Sequence, residues 1–126
     1  MAVKLVVLMR RRPGMSRQEF VDYHRTSHAV TFMADPTIRR LCRRYVQSHP
    51  VLSGVEGVEG VDGSGFDGIA EVWFDTVHDL REAFSSETYM ANVRVDELRF
   101  IDIEHTLDLV TEETPVWPRR PGATGD

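Results

Sequence analysis

The sequence predicts a single α+β domain whose strands and helices follow one another in the order β-α-β-β-α-β. The length of 126 residues suits one domain. Four short segments carry strand patterns, and two segments begin with helix-capping sequences. Hydrophobic residues make up 41% of the chain and charged residues 28%, which is typical of a folded globular protein and not of a disordered one.

The first strand is predicted at residues 3–9. These residues are almost all apolar and too few for a typical helix, which indicates a strand covered on both faces. Pro13 and Gly14 then interrupt regular structure. Ser16 and Glu19 form a capping box, in which each side chain satisfies a free backbone amide at the start of a helix. We therefore expect the first helix to begin directly after Ser16.

The next boundaries depend on proline and glycine. Pro36 disfavours helical geometry at Asp35, so the first helix should end before Asp35, with a brief turn at residues 37–41. The second strand is predicted at residues 43–48. Residues 49–65 are glycine-rich and acidic, which predicts a solvated loop or a lid. No Lys-Ser/Thr pair follows these glycines, so a phosphate cradle is not expected.

The second half of the chain repeats the strand-helix-strand pattern. Residues 68–75 predict a third strand because they combine β-branched and aromatic residues. Thr76 with Asp79 resembles another helix N-terminus, and a further helical segment is expected at residues 87–97. Residues 101–110 alternate between apolar and polar side chains, which predicts a half-buried fourth strand.

This order defines the ferredoxin-like arrangement, in which both helices cover one face of a four-stranded antiparallel sheet. The other face stays uncovered in a monomer, so we expect two copies to pair as a homodimer, a dimeric α+β barrel. The domain should span residues 1–112. Residues 113–126 form a Pro/Gly-rich tail. Trp117 is expected to anchor the tail in a groove or on a partner subunit.

Composition also restricts the class of function. The net charge of −5 argues against a nucleic-acid binder, which needs a basic surface. The sequence contains no apolar run of about 18 residues and no signal-peptide pattern, so no membrane partner is expected. Cys42 is the single cysteine, which excludes an internal disulfide. A cytoplasmic location fits these features.

Two histidines stand out as candidates for chemistry. Phe20, His24 and His28 recur every four residues and therefore share one helix face. An imidazole can give or take a proton near neutral pH, so His28 is a candidate acid or base; it could equally cap the helix or bond to backbone. The His-x-x-x-His spacing can bind zinc, but Arg25 replaces the usual Glu and a third ligand is missing, so no metal is expected.

Other side chains could complete a small-molecule site. Tyr45 could donate a hydrogen bond to a carbonyl or enolate, or could only pack in the core. Glu71 would need a partner if its sheet face is buried, either a catalytic histidine or an ion pair at a dimer interface. His49 and His105 are either site or surface histidines. The aromatic residues that could form either the core or a substrate wall are Phe20, Phe32, Trp73, Phe74 and Phe84.

Three blocks of sequence resemble EthD-domain proteins: residues 4–28, residues 66–75, and Asp96-Glu97 together with Phe100-Ile101-Asp102. The similarity covers about residues 3 to 112 and implies a dimeric α+β barrel. Relatives by fold include muconolactone-type isomerases, polyketide cyclases and dehydratases, and cofactor-free monooxygenases. In the methylmuconolactone isomerase relatives, a His on the first helix and a Tyr on the second strand are implicated in proton transfer. His28 and Tyr45 resemble these two residues.

The sequence thus predicts a cofactor-independent enzyme that transfers a proton on a small cyclic or aromatic carbonyl compound, as an isomerase, lyase, dehydratase or cyclase. His28 and Tyr45 would be catalytic, with His24 as an extra neighbour. The side chains expected to contact substrate are Phe20, Phe32, Glu71, Trp73 and His105. One alternative is a cofactor-free monooxygenase acting on a phenol, quinol or polyketide, and another is a non-catalytic protein that binds a small molecule.

Overall fold

The computed structural model of the chain describes residues 2–61 and 63–117. Its centre is a four-stranded antiparallel sheet in the order β2-β3-β1-β4. This confirms the predicted ferredoxin-like arrangement. The strands are β1 (Val3–Met9), β2 (Cys42–Ser48), β3 (Gly68–Phe74) and β4 (Leu107–Thr111).

Two groups of consecutive helices, each termed a helical layer, cover the inner face of the sheet. The first consists of α1 (Arg17–Tyr23), a π-helical turn (His24–His28), α2 (Ala29–Ala34) and α3 (Pro36–Leu41). The second consists of α4 (Val77–Ser85), a π-helical turn (Tyr89–Val93) and α5 (Arg94–Phe100).

The predicted helix boundaries are confirmed by their caps. Ser16 Oγ accepts a hydrogen bond from the Glu19 amide at 3.1 Å, and the Glu19 carboxylate accepts one from the Ser16 amide at 2.8 Å. Asp35 ends α2 and accepts hydrogen bonds from the first amides of α3. Thr76 caps α4 in the same way. The turn expected at residues 37–41 is the short helix α3.

The prediction of a strand over residues 101–110 is wrong in its first half, because β4 begins only at Leu107. Residues 103–105 form a 3₁₀ turn instead. The Thr106 hydroxyl donates to the Asp102 carbonyl at 2.8 Å and accepts from the Arg10 amide at 3.2 Å. These side-chain bonds to backbone compete with strand pairing, and the alternation of apolar residues does not register such competition.

Strand alternation separates the two faces of the sheet. Ala70, Val72 and Phe74 point inward and are buried among the helices. Gly68 allows a close approach there, since a Cβ at this position would lie 2.9 Å from Phe20 Cε1. On the outer face, Leu109 lies opposite Val6 and is 54% exposed. Within the described residues, no helix is long and apolar enough to cross a membrane.

The described start of the tail is attached to the outer face of the sheet. Glu113 accepts a hydrogen bond from Trp73 Nε1 at 2.6 Å and lies 3.5 Å from Lys4 Nζ. Trp117 is 80% exposed and therefore fills no groove formed by residues 2–61 and 63–117. Its packing on a partner subunit stays a prediction, as does the domain boundary at residue 112. Residues 118–126 lie outside the described part of the chain.

Candidate active site

A cavity of about 260 Å³ lies between the helices and the inner face of the sheet. Its wall is mainly apolar, with side chains from β1, β3 and both helical layers. Apolar cavities with a few polar groups are typical small-molecule sites. The polar and ionisable residues in the wall are His28, Tyr45, Tyr89, Arg94, Glu97, Thr106 and Asp108.

His28 is the imidazole in this wall, and a carboxylate holds it from behind. His28 Nδ1 lies 2.8 Å from Asp96 Oδ2, and both residues are 2% exposed. A carboxylate can only accept a hydrogen bond, so the proton of a neutral His28 resides on Nδ1. Among the described residues, none hydrogen-bonds to Nε2. The nitrogen with a free lone pair is therefore Nε2.

Asp96 is itself held by several donors. The Tyr23 hydroxyl and Arg99 Nη1, the latter at 3.0 Å, both donate to Asp96 Oδ1. Burial acts to raise the pKa of Asp96, but the hydrogen bonds from Tyr23, His28 and Arg99 outweigh it and hold the pKa below its usual value. Asp96 is thus an ionised, fixed acceptor that can stabilise a positive charge on His28.

The backbone around His28 is unusual. Residues 24–28 form a π-helical turn between α1 and α2, and residues 89–93 form a second one before α5. Such turns insert an extra residue into a helix and occur frequently at functional sites. Here they lie in the two helical layers that supply His28 and Asp96. The sequence did not predict either turn.

Tyr45 lies in the same cavity wall, on the inner face of β2. Its ring packs against Phe32 with centroids 4.5 Å apart, and its hydroxyl oxygen accepts a hydrogen bond from Gln47 Nε2 at 2.8 Å. Burial raises the pKa of Tyr45 to about 12, so the phenol stays protonated at neutral pH. Its O–H group is therefore a donor that the Gln47 contact leaves unused.

A second polar group comes from the helical layer that carries Asp96. Glu97 Oε2 accepts a hydrogen bond from the Tyr89 hydroxyl, and Glu97 Oε1 lies 3.1 Å from Arg94 Nη1. Burial raises the pKa of Glu97. Burial is also the main reason why the pKa of Tyr89 is raised. The site thus has a histidine–aspartate pair and, separately, a glutamate bound to a tyrosine and an arginine.

Of the predicted site residues, His28, Tyr45 and Phe32 come together, whereas His24 and Phe20 lie outside the cavity wall. His24 is fully buried, its Nδ1 lies 2.9 Å from His49 Nε2, and its own Nε2 is enclosed with no hydrogen-bond partner among the described residues. Burial and the neighbouring imidazoles lower the pKa of His24 to about 3. Phe20 packs against His24 and Phe100. The two imidazoles do share one helix face, with ring centroids 6.0 Å apart, but His24 contacts the loop residue His49 whereas His28 contacts Asp96.

Three other predicted substrate contacts also lie away from the cavity. Glu71 and Trp73 occupy the outer face of β3, where Glu71 pairs with Lys4 Nζ at 2.8 Å. Strand alternation forces this placement, because the even-numbered residues of β3 point toward the helices and the odd-numbered ones point to the outer face. His105 is exposed on the 3₁₀ turn and its Nδ1 lies 2.8 Å from Asp102.

The sequence did not single out Asp96, Tyr89, Arg94 or Glu97 as site residues. One signal for Asp96 was present. Val93, Asp96 and Phe100 follow helical spacing, which places a carboxylate on an apolar helix face where it needs a partner. Within the part of the chain that the structure describes, no three His, Cys, Asp or Glu side chains group as metal ligands do.

The structure defines a ferredoxin-like α+β protein with a cavity between helices and sheet, and comparison with known proteins identifies the family. The model of the EthD domain matches residues 12–104. The chain therefore belongs to the EthD-domain family, as the sequence resemblance predicted. No curated protein shows significant similarity to it.

Solved structures show the same fold. An ethyl tert-butyl ether d (EthD) family protein from Bacillus halodurans has 22% identity and a TM-score of 0.66, covering 90% of this chain and 100% of its own. A dimeric ferredoxin-like protein of unknown function from Bacteroides fragilis has 15% identity and a TM-score of 0.62, covering 89% and 96%. A hydroxynitrile lyase from Passiflora edulis has 15% identity and a TM-score of 0.58, covering 93% and 97%. At these identities the likeness concerns the fold alone.

Proposed function

We propose that the chain is a cofactor-independent enzyme that moves a proton on a small cyclic or aromatic carbonyl compound bound in the helix–sheet cavity. The observation that carries this proposal is the buried pair of His28 and Asp96. The pair fixes the imidazole of this cavity-wall residue and leaves its Nε2 with no hydrogen-bond partner among the described residues.

In the proposed reaction, His28 Nε2 removes a proton from the carbon next to the substrate carbonyl. The electrons of the broken C–H bond move into an enolate, and the imidazolium formed is stabilised by ionised Asp96. His28 then returns the proton to another carbon, which is an isomerisation, or to a leaving hydroxyl group, which is a dehydration. Asp96 keeps its charge throughout and acts as a positioning residue.

Tyr45 is the proposed donor to the enolate oxygen. Its pKa of about 12 keeps the hydroxyl protonated at neutral pH. Its hydrogen bond from Gln47 fixes the oxygen while leaving the O–H free to donate. A preorganised donor of this kind is typically worth about 10²–10³ in rate when a negative oxygen develops.

The cavity wall supports a small apolar substrate. Its volume of about 260 Å³ is slightly below the range of about 300–1,000 Å³ for drug-sized ligands, which favours compounds of one or two rings. A hydroxynitrile lyase among the structural neighbours makes a lyase reaction one of the candidates.

The experiment has two stages. A thermal-shift screen of lactones, phenols and quinols identifies compounds that bind the wild-type protein. NMR then follows deuterium incorporation from D₂O into those hits, in wild type and in His28→Ala. We expect exchange in wild type and a loss of about 10²–10⁴-fold in the variant. Exchange at the same rate in both proteins would reject His28 as the base.

The same assay separates the two alternatives. A cofactor-free monooxygenase would consume oxygen together with the substrate, which an oxygen electrode detects. A non-catalytic binding protein would give thermal shifts without exchange. A histidine bonded only to backbone would suit that last case, but His28 bonds to a buried carboxylate.

A homodimer is part of the proposal. The outer face of the sheet presents apolar side chains, and both Leu107 and Leu109 are more than half exposed. A second copy would cover this face, because an apolar sheet face of this kind is unfavourable in water. The Bacteroides fragilis structure with this fold is described as dimeric, which supports the pairing.

A further inference from the structure

We propose that the cavity selects neutral, hydroxyl-bearing compounds over their carboxylate counterparts, because Glu97 and Asp108 both border it and, among the described lining residues, Arg94 alone opposes their charge. This inference rests on the proposed function, since it names the substrate class of the same cavity. It concerns binding, however, and can be tested without turnover.

The positive charge of Arg94 is already balanced by an ion pair with Glu97. Arg94 Nη1 lies 3.1 Å from Glu97 Oε1, and the Glu97 side chain is only 14% exposed. The Tyr89 hydroxyl donates to the other oxygen of Glu97. A ligand carboxylate could reach the remaining N–H groups of Arg94, but it would share a charge that Glu97 already balances, so the three groups together would carry a net negative charge.

Asp108 adds a second negative charge to the same wall. It lies opposite Val7 on the inner face of β4. Within the described residues it has no ion-pair partner within 4.0 Å. The Asp108 side chain is largely exposed to solvent, and the partial burial of its carboxyl group at the cavity wall raises its pKa. A ligand carboxylate near Asp108 would therefore meet a like charge.

The inner end of the cavity offers no free cation either. If His28 becomes protonated, its charge is balanced by Asp96, which it contacts at 2.8 Å. Among the described lining residues there is no lysine, and Arg94 is the one guanidinium. The chain as a whole carries a net charge of −5, which further disfavours an approaching anion.

A hydroxyl group suits the same wall. The Glu97 carboxylate has about four acceptor positions, of which Tyr89 and Arg94 occupy two, so it can still accept a hydrogen bond from a ligand hydroxyl. A ligand carboxylate is an acceptor only and cannot make that bond. The wall thus discriminates by both charge and hydrogen-bond direction.

The test compares 2-naphthol with 2-naphthoate, which share one ring system. At pH 7 the hydroxyl, with a pKa near 10, is neutral, and the carboxylic acid, with a pKa near 4, is ionised. Isothermal titration of wild type should give at least tenfold tighter binding of 2-naphthol, which is about 1.4 kcal/mol. Glu97→Gln should narrow this ratio by strengthening naphthoate binding. The exposed Glu87→Gln removes the same charge outside the cavity and should leave the ratio unchanged.

If Glu97→Gln fails to fold, Asp108→Asn at its exposed position provides the same comparison. Equal or tighter binding of naphthoate by wild type would overturn the inference, and so would a failure of 2-naphthol to bind. Selectivity for naphthol without His28-dependent deuterium exchange would keep this inference and reject the proposed function. His28-dependent deuterium exchange without selectivity for naphthol would reject this inference and keep the proposed function.

Discussion

Acid should destabilise this protein through His24, a histidine that lies outside the cavity. His24 is fully buried, and no group in the described part of the chain hydrogen-bonds to its enclosed Nε2. Burial, and secondarily the charges of His49 and His28, lower its pKa from 6.5 to about 3 in the folded protein. In the unfolded chain the imidazole returns to its usual pKa. Between pH 3 and pH 6.5 the unfolded state therefore binds more protons, and the free energy of unfolding falls as the pH falls through this window.

The size of the effect follows from these two pKa values. At pH 7 most of the unfolded histidine is neutral, so His24 makes little difference there. At pH 5 the unfolded imidazole is almost fully protonated while folded His24 is neutral, which lowers the free energy of unfolding by about 2 kcal/mol relative to pH 7. This is a substantial part of the stability of a domain of this size.

Urea unfolding at pH 7 and pH 5 tests this reasoning in wild type and in His24→Asn. The asparagine amide can replace the polar contact of Nδ1 with His49 but does not titrate. Carboxylates and the histidines remote from His24 contribute equally to both proteins, so their effects cancel in the comparison, and the coupling of His24 to His49 and His28 is secondary to its burial. From pH 7 to pH 5, the free energy of unfolding should fall by about 2 kcal/mol more in wild type than in the variant. Equal losses would refute the neutral, buried state of His24.

Three further predictions concern the site and the outer face. Asp96→Asn removes the charge behind His28 and should slow deuterium exchange by about 10²–10⁴-fold with a native circular dichroism spectrum; an unchanged rate would exclude a positioning role. Tyr45→Phe should lower kcat by about 10²–10³-fold with little change in KM, whereas a change in KM alone would indicate substrate binding only. Leu109→Glu places a charge on the exposed apolar face and should yield monomers in analytical ultracentrifugation; a wild-type monomer would contradict the proposed dimer.

The fold could be predicted because local signals and the global arrangement agree. The β1 strand, the capping box at Ser16 and the break at Pro36 each depend on neighbouring residues, and the structure confirms all three. The fourth strand was predicted too long because apolar alternation continues through residues 101–106. There, the Thr106 hydroxyl bonds to the Asp102 carbonyl, an interaction that periodicity does not register.

The site was predicted only in part because its chemistry depends on long-range contacts. The spacing of His24 and His28 indicated one helix face, but it could not show which imidazole lies in the cavity wall. The partner of His28 is Asp96, from the opposite helical layer, and the partner of His24 is His49, from the loop after β2. Glu71 and Trp73 were assigned to the site from residue type, but the sheet register places them on the outer face.

The central claim is that Asp96 holds Nδ1 of His28 and leaves Nε2 free to act as a base. Long-range ¹H–¹⁵N NMR of the imidazole rings measures this directly and requires no knowledge of the substrate. At pH 8, where an ordinary imidazole is neutral, we expect the His28 proton on Nδ1 in wild type and a loss of this preference in Asp96→Asn. A neutral His28 that carries its proton on Nε2 would contradict the account.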